Sequence, residues 1–454
     1  MPVSCDALPS IEQCRAVFER VLSEARSAGV PDVELLMGVR VEALTRFANN
    51  AIHQNVAEEG RVLSVRTRIG QRTARATSNG FDSDSIRKAV REAIILTRAA
   101  ADDADSLTLA SPQPVQPAAR LDQATADATP EHRAASVAEA IRVVEGASQT
   151  AAGIYSTEAS VEAIFNSAGV AAWHSETMAR FSITAMAGDS SGWAKASSTA
   201  KADIHPVELA RRACEKATLS RAPRELAPGR YTVILEPAAT LDLVGQMFGD
   251  FSATALHDQR SFLNNRLGTR LFGDNINIHD DVYHPVQAGA PFDGEGVPRR
   301  RLKLVEAGVP REVAYSRSSA KRAGVEPTGH GFPLPNEIGE APSNIVIDGG
   351  ATSIDEMVAS TERGILVTRF WYIREVDPYE KIMTGMTRDG TFLIENGRLV
   401  SGLRNFRFNQ GLIELLSNVE AMSPAVRASG EEVMDLVAPA MKVRDFNFSE
   451  VTKF

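Results

Sequence analysis

One order of predicted elements occurs twice in this chain, and that recurrence restricts the fold more than any single motif. Ser10 caps a helix with Ile11, Cys14, Val17, Phe18, Val21 and Leu22 on one face, and Gly29-Val30-Pro31 stops it. Alternating segments follow at 33–39, 41–47, 51–57, 62–69 and 72–77, with turn signals at Asn49-Asn50 and Glu59-Gly60. Asp82 or Ser83 then caps a second helix through about Leu96. About 120 residues later the order returns as a helix over 134–144, strands at 152–156, 161–166, 170–186 and 194–200, and a helix over 207–217. Val41-Glu42-Ala43 corresponds to Val161-Glu162-Ala163, and Ala74-Arg75-Ala76-Thr77-Ser78 to Ala194-Lys195-Ala196-Ser197-Ser198, at one offset. Phe47 corresponds to Phe165 with a two-residue slip. These matches predict a duplicated unit.

The units span 1–100 and 131–222, joined by an Ala/Asp/Pro-rich linker over 101–130. A β-rich C-terminal domain over 223–454 opens with the strand Tyr231-Thr-Val-Ile-Leu235. Pro237 then starts a helix bearing Leu241, Val244, Met247, Phe248 and Phe251 at helical spacing. Further on, residues 302–309 predict a hairpin and 328–342 a long ordered loop, while Ser353 and Glu356 form a capping box and Asn396-Gly397 a tight hairpin turn. The class is α+β: duplicated helix, antiparallel meander and helix units, followed by a β-rich C-terminal domain.

Bulk properties exclude several functions. With 43% hydrophobic and 24% charged residues the 454-residue chain can bury a large core. Its net charge of -9 argues against a nucleic-acid surface. No run approaches the length of a membrane span, and no basic-then-apolar leader is apparent. Cys5, Cys14 and Cys214 form no CxxC pair and are expected to be reduced, which suits the cytoplasm.

Motifs for chemistry are sparse. Residues 241–250 contain no His, so the strand-helix junction lacks the paired imidazoles of a zinc helix. Of eight His, none are spaced i,i+4; His279 and His284 flank Asp280-Asp281, and the set His279, Asp281 and His284 is an alternative metal site. No Gly-x-Ser-x-Gly elbow leads from a strand into a helix, and Thr328-Gly329-His330-Gly331 lacks the Lys of a phosphate loop. What remains are permissive loops and an aromatic run: Asp293, Glu295 and Gly296; Gly329, His330, Gly331 and Phe332; and Phe370, Trp371 and Tyr372. Beside a sheet edge such residues could line a groove for an extended peptide.

The motifs Phe292-Asp-Gly-Glu-Gly-Val297, Ser353-Ile-Asp-Glu-Met357, Gly364-Ile-Leu-Val-Thr368 and Gly390-Thr-Phe-Leu-Ile-Glu-Asn-Gly397, with Gly70-Gln-Arg-Thr-Ala-Arg-Ala-Thr77 in the first unit, resemble the TldD/PmbA family in order. The resemblance implies a two-subunit peptidase in which a TldD-like chain carries His-Glu-x-x-x-His and a further Cys ligand, and a PmbA/TldE-like chain lacks both. This sequence departs from the TldD pattern at both places. It is therefore similar to the PmbA/TldE-like subunit. The implied function is that of a non-catalytic member of a heterodimeric zinc metalloprotease, with no catalytic residue and no cofactor of its own. Zinc is expected in the TldD-like partner, with unfolded peptide as substrate and no nucleic-acid or membrane partner. The residues named above are then expected to form the substrate channel or the subunit interface. The alternatives are a stand-alone metallopeptidase with an unusual metal site, or a non-enzymatic peptide-binding homodimer.

Overall fold

The computed structural model describes residues 8–452. The first unit runs α1 (Ile11–Ser27), β1 (Asp32–Ala48), β2 (Ala51–Ile69), β3 (Arg72–Ser78) and α2 (Ser83–Ala99). After the short α3 (Gln123–Ala126), the second runs α4 (Pro130–Gly146), β4 (Thr150–Asn166), β5 (Ala171–Ala187), β6 (Ser190–Ser198) and α5 (Pro206–Leu219). The helix starts obey local chemistry. Ser10 and Gln13 make a reciprocal capping box, Asp82 accepts two amides of the first turn of α2, and Thr129 caps α4 just before Pro130.

Both units share one antiparallel sheet of order β3-β2-β1-β4-β5-β6, so the duplication appears as a pseudo-two-fold through the central pair. The sequence offset equates Arg40 with Ser160, and these two face each other in the β1–β4 register. The matched segments Ala74–Ser78 and Ala194–Ser198 lie on the two outermost strands, β3 and β6. Separate apolar clusters serve the two units: α1 and α2 bury Val17, Val21, Val90 and Ile94 against Leu35 and Val65, while α4 and α5 bury Val137, Val144 and Leu209 against Phe181 and Ile183.

One local signal is overruled. Glu59-Gly60 does not turn: Glu59 pairs with Val41 and Gly60 with Arg40 in a ladder whose one register shift lies farther on, between Arg46 and Phe47, so 51–57 and 62–69 belong to one strand, as do 33–39 and 41–47. A long antiparallel partner strand offers a pair of backbone hydrogen bonds at every second residue, and that outweighs one Gly signal. Asn49-Asn50 does turn, with φ of 51° and 59°.

The C-terminal domain comprises β7 (Gly229–Leu235), α6 (Pro237–Val244), α7 (Ala253–His257), β8 (Ile278–Asp280), β9 (Leu302–Glu306), β10 (Val309–Pro310), α8 (Arg317–Ala323), β11 (Ile345–Ile347), α9 (Ile354–Ala359), β12 (Arg363–Asp377), β13 (Ile382–Glu395), β14 (Arg398–Gly402), β15 (Phe406–Gly411), α10 (Leu412–Ser417), β16 (Val419–Met422), β17 (Val426–Ala428), β18 (Leu436–Ala438) and β19 (Met441–Val451). One sheet has the order β10-β9-β8-β11-β18-β17; the other is built on β12-β7-β19-β15-β13-β14. Asn396-Gly397 closes the β13–β14 hairpin as predicted, with φ of 52° and 72°. The helix begun by Pro237 tightens to a 3-10 turn from Gly245 to Asp250, and Leu241, Val244, Met247, Phe248 and Phe251 lie in the core shared by the two sheets. Among the described residues no helix is long and apolar enough to cross a membrane.

An aromatic cluster holds that core. Phe370 stacks on Phe446 at 5.8 Å and meets Phe408 edge-on at 4.8 Å, and Phe446 lies 4.9 Å from Phe448. Phe408→Ala is expected to cost about 3–5 kcal/mol, because the cavity opens amid rings that cannot collapse into it. A urea titration followed by far-ultraviolet circular dichroism measures this as a lowered midpoint.

Candidate functional site

The predicted loop residues fall into two places. Asp293, Glu295, Gly296, Gly329, His330, Gly331 and Phe332 come together as one clasp between two connections of the C-terminal domain. Asp293 Oδ1 accepts the amides of Glu295 and Val297 at 2.9 Å each, and its Oδ2 accepts that of Gly331 at 2.7 Å. The Gly294 amide returns a bond to the Gly331 carbonyl at 3.0 Å. Glycine is required where the strands of the clasp touch: Gly329 has φ of +74°, and a Cβ there would lie 2.2 Å from the Pro298 carbonyl oxygen.

His330 is interior. Its Nε2 lies 3.1 Å from Asp280 Oδ1 and its Nδ1 2.9 Å from Thr328 Oγ1, so both ring nitrogens are engaged. Asp280 also accepts the amides of Ser343 and Asn344 at 2.7 Å each. Burial works to raise the Asp280 carboxyl, yet His330 and these donors hold it below the usual carboxylate range. His330 therefore fastens the clasp rather than offering a base to solvent. Phe332 sits at its outer end, 36% exposed.

Glu295 is different. Its Oε2 accepts the Arg317 amide at 2.8 Å, but its buried Oε1 has no partner. Burial first, and then the Asp293 carboxylate, push Glu295 up to about 7. Beside it the first unit contributes an ion triad that hydrophobic periodicity could not reveal. Arg66 grips Glu34 with a two-point fork at 3.0 and 2.8 Å, and Arg75 donates to Glu34 at 2.7 Å and to the Leu334 carbonyl at 2.8 Å. Glu340, also absent from the sequence reading, accepts from Ser252, Thr254, Ser316 and Ser319. Burial opposes its ionisation, but this ring of donors holds its carboxyl below the ordinary value.

The aromatic run lies elsewhere, on β12 beside α6. Phe370 points into the core, whereas Trp371 packs between Arg369 and Arg388 at 5.5 and 4.8 Å and Tyr372 is exposed. Behind this strand Asp242 of α6 is fully buried. Its Oδ1 accepts the amides of Glu431 and Glu432 at 3.0 and 3.1 Å, and its Oδ2 has no partner. Burial dominates and pushes Asp242 up to about 6, against the pull of the two amides and of Arg369.

The alternative metal set is not assembled. His279 Nδ1 lies 3.3 Å from Asp348 Oδ1, and among the described residues no three His, Cys, Asp or Glu side chains converge as a metal group. Cys14 and Cys214 are free and buried; Cys5 lies outside the described residues.

Comparison with known proteins supplies the lineage. The descriptions PmbA/TldA metallopeptidase domain 1, central domain and C-terminal domain match residues 33–96, 110–221 and 228–450. The chain is 21% identical to the metalloprotease PmbA of Escherichia coli O157:H7 over 98% of its own length and 99% of that protein. It is 26% identical to a metalloprotease of Methanothermobacter thermautotrophicus over 68% of each chain. The crystal structure of TldE from Thermococcus kodakarensis superposes with a TM-score of 0.86 at 18% identity, covering 95% of this chain and 99% of that one.

Two outcomes follow from the geometry. Gly329→Ala forces a Cβ onto a backbone oxygen in a left-handed conformation, so it is expected to loosen the clasp and cost about 1–3 kcal/mol, read as a lowered thermal midpoint. Asp242 keeps its proton in the folded chain where the unfolded chain has lost it. Stability therefore falls as pH rises from about 4 to about 6, and above that range the folded chain carries the full cost of the buried charge. Asp242→Asn is expected to be more stable than the native chain at pH 7.5 by on the order of 2 kcal/mol, with the advantage gone at pH 4; midpoints at both pH values measure it.

Proposed function

Because the chain belongs to the PmbA/TldD metallopeptidase family, we propose that it is the subunit of a heterodimeric zinc metalloprotease that lacks the catalytic zinc. Its partner in this reading is a zinc-bearing TldD-like chain, the substrate is unfolded peptide, and the setting is the cytoplasm. The observation that carries the proposal is the side-chain set on α6 and its 3-10 extension. Residues 241–250 hold no His, and no Cys follows Cys214. Asp242 is the carboxylate that α6 offers, and one of its oxygens is already committed to two amides. These residues do not fit a tetrahedral zinc ion, which needs three or four convergent N, S or O ligands. No hydrolytic step is assigned to a metal on this chain.

What the chain contributes is surface. Beyond Val367, β12 is paired with β13 and no longer with β7, and Trp371 and Tyr372 stand on that stretch. The clasp presents Phe332 outward from a rigid base. A channel wall of this kind takes varied sequences, because backbone pairing and aromatic contact do not read particular side chains.

Bound zinc and cleavage of an unfolded peptide should be measured on this chain, on a TldD-like partner, and on the two together. Zinc and activity are expected only with the partner, and more activity in the mixture. One zinc per chain and cleavage by this chain alone would sink the reading.

A further inference from the structure

Tyr372 has a φ of +57°, a left-handed conformation that bulky residues rarely adopt, and it is 54% exposed. The register of β12 against β13 breaks between Trp371 and Arg374, so the intervening amides are released from that ladder. Two successive ones, of Tyr372 and Ile373, converge on the two oxygens of a single carboxylate: Glu432 Oε1 at 2.8 Å and Oε2 at 3.1 Å. Consecutive amides aimed at one point form an anion-binding concavity. Arg374 supports the same sign of charge, with Nη1 4.0 Å from Glu432 Oε2 and its guanidinium 4.4 Å from the Tyr372 ring centroid.

Glu432 reaches the concavity from a loop held at its back. Asp242 accepts the amides of Glu431 and Glu432, and Lys195 of β6 donates to the Gly430 carbonyl at 2.5 Å and pairs with Glu431 at 3.2 Å. The Glu432 side chain is thus a tethered carboxylate seated in a fork of amides. The two segments that meet there also carry exposed apolar side chains, Val376 (60%) on β12 and Met434 (72%) two residues past Glu432.

We infer that the concavity at Tyr372 and Ile373 is a binding site for the C-terminal carboxylate of an extended peptide, and that Glu432 is an internal stand-in which the ligand displaces. A terminal carboxylate presents the same two-oxygen fork as Glu432, and capture of a chain end by successive amides is a known mode of peptide recognition. The choice of a peptide as ligand rests on the peptide-handling reading above; the carboxylate chemistry does not.

The test uses the full chain alone, without partner or zinc, and three short fluorescent unstructured peptides. One ends in Leu with a free carboxylate, the second is its C-terminal amide, and the third is an amide ending in Glu. Fluorescence anisotropy is expected to show the free acid binding Glu432→Ala at least tenfold tighter than the native chain, and at least tenfold tighter than either amide binds that variant. Glu432→Gln, which keeps an acceptor oxygen but loses the charge, is expected to show a smaller gain and serves if the alanine variant does not fold. Equal binding of acid and amide, preference for the peptide ending in a Glu amide, or no binding to a folded variant would each overturn the assignment. Such a failure leaves the zinc and activity of the mixed subunits unaffected, so the two readings stand or fall separately.

Discussion

Everything in the N-terminal half depends on the pairing of β1 with β4. Each is 17 residues long, and each is the innermost strand of its own unit. Val33, Leu35 and Met37 of β1 pack with Val161, Ala163 and Phe165 of β4 in one cluster, so the core of the first unit is completed by a strand of the second. A meander of three strands has two edges; joining two meanders back to back removes the inner two and leaves one continuous sheet. The C-terminal domain is then held by an apolar cluster, in which Ala290 and Phe292 pack with Ile164, Val170 and Ala172, and by polar contacts. The Glu34, Arg66 and Arg75 triad reaches the Leu334 carbonyl from the first unit, while Lys195 and Ser197 of the second reach Gly430 and Asp435 in the loop between β17 and β18.

The architecture was legible wherever local chemistry and burial agree. Ser10, Asp82, Ser353 and Asn396-Gly397 are signals that act within a few residues, and all appear in the structure as read. Glu59-Gly60 misled because a turn signal is a statement about an isolated segment, whereas strand length is set by the partner strand. The helix after Pro237 was legible in its buried face but not in its change of pitch, since apolar spacing alone does not separate an α-turn from a 3-10 turn.

The candidate site was legible in part for a similar reason. Gly-rich and acidic stretches marked the clasp, because close backbone approach demands glycine and stacked amides demand a carboxylate. Their mutual contact, Asp293 with Gly331, joins positions with no shared periodicity. Glu34, Glu340, Asp242 and Glu432 gave no signal at all. Each is one acid among 58 Asp and Glu residues, and only burial with specific donors separates it from the solvated majority. In the aromatic run, strand alternation sends Phe370 inward, and the left-handed turn at Tyr372 then breaks that alternation.

The β1–β4 register also bears on how the chain is made. A ribosome delivers β1, β2 and β3 long before Thr150 emerges, so the first meander waits through roughly seventy further residues with the inner edge of β1 unpaired. In that interval the edge is open to any passing strand, including that of a neighbouring nascent chain. Closure then requires a contact between distant parts of the sequence, which is the slow kind to form. The duplication that gives the finished protein a seamless sheet therefore gives the unfinished one its most aggregation-prone moment.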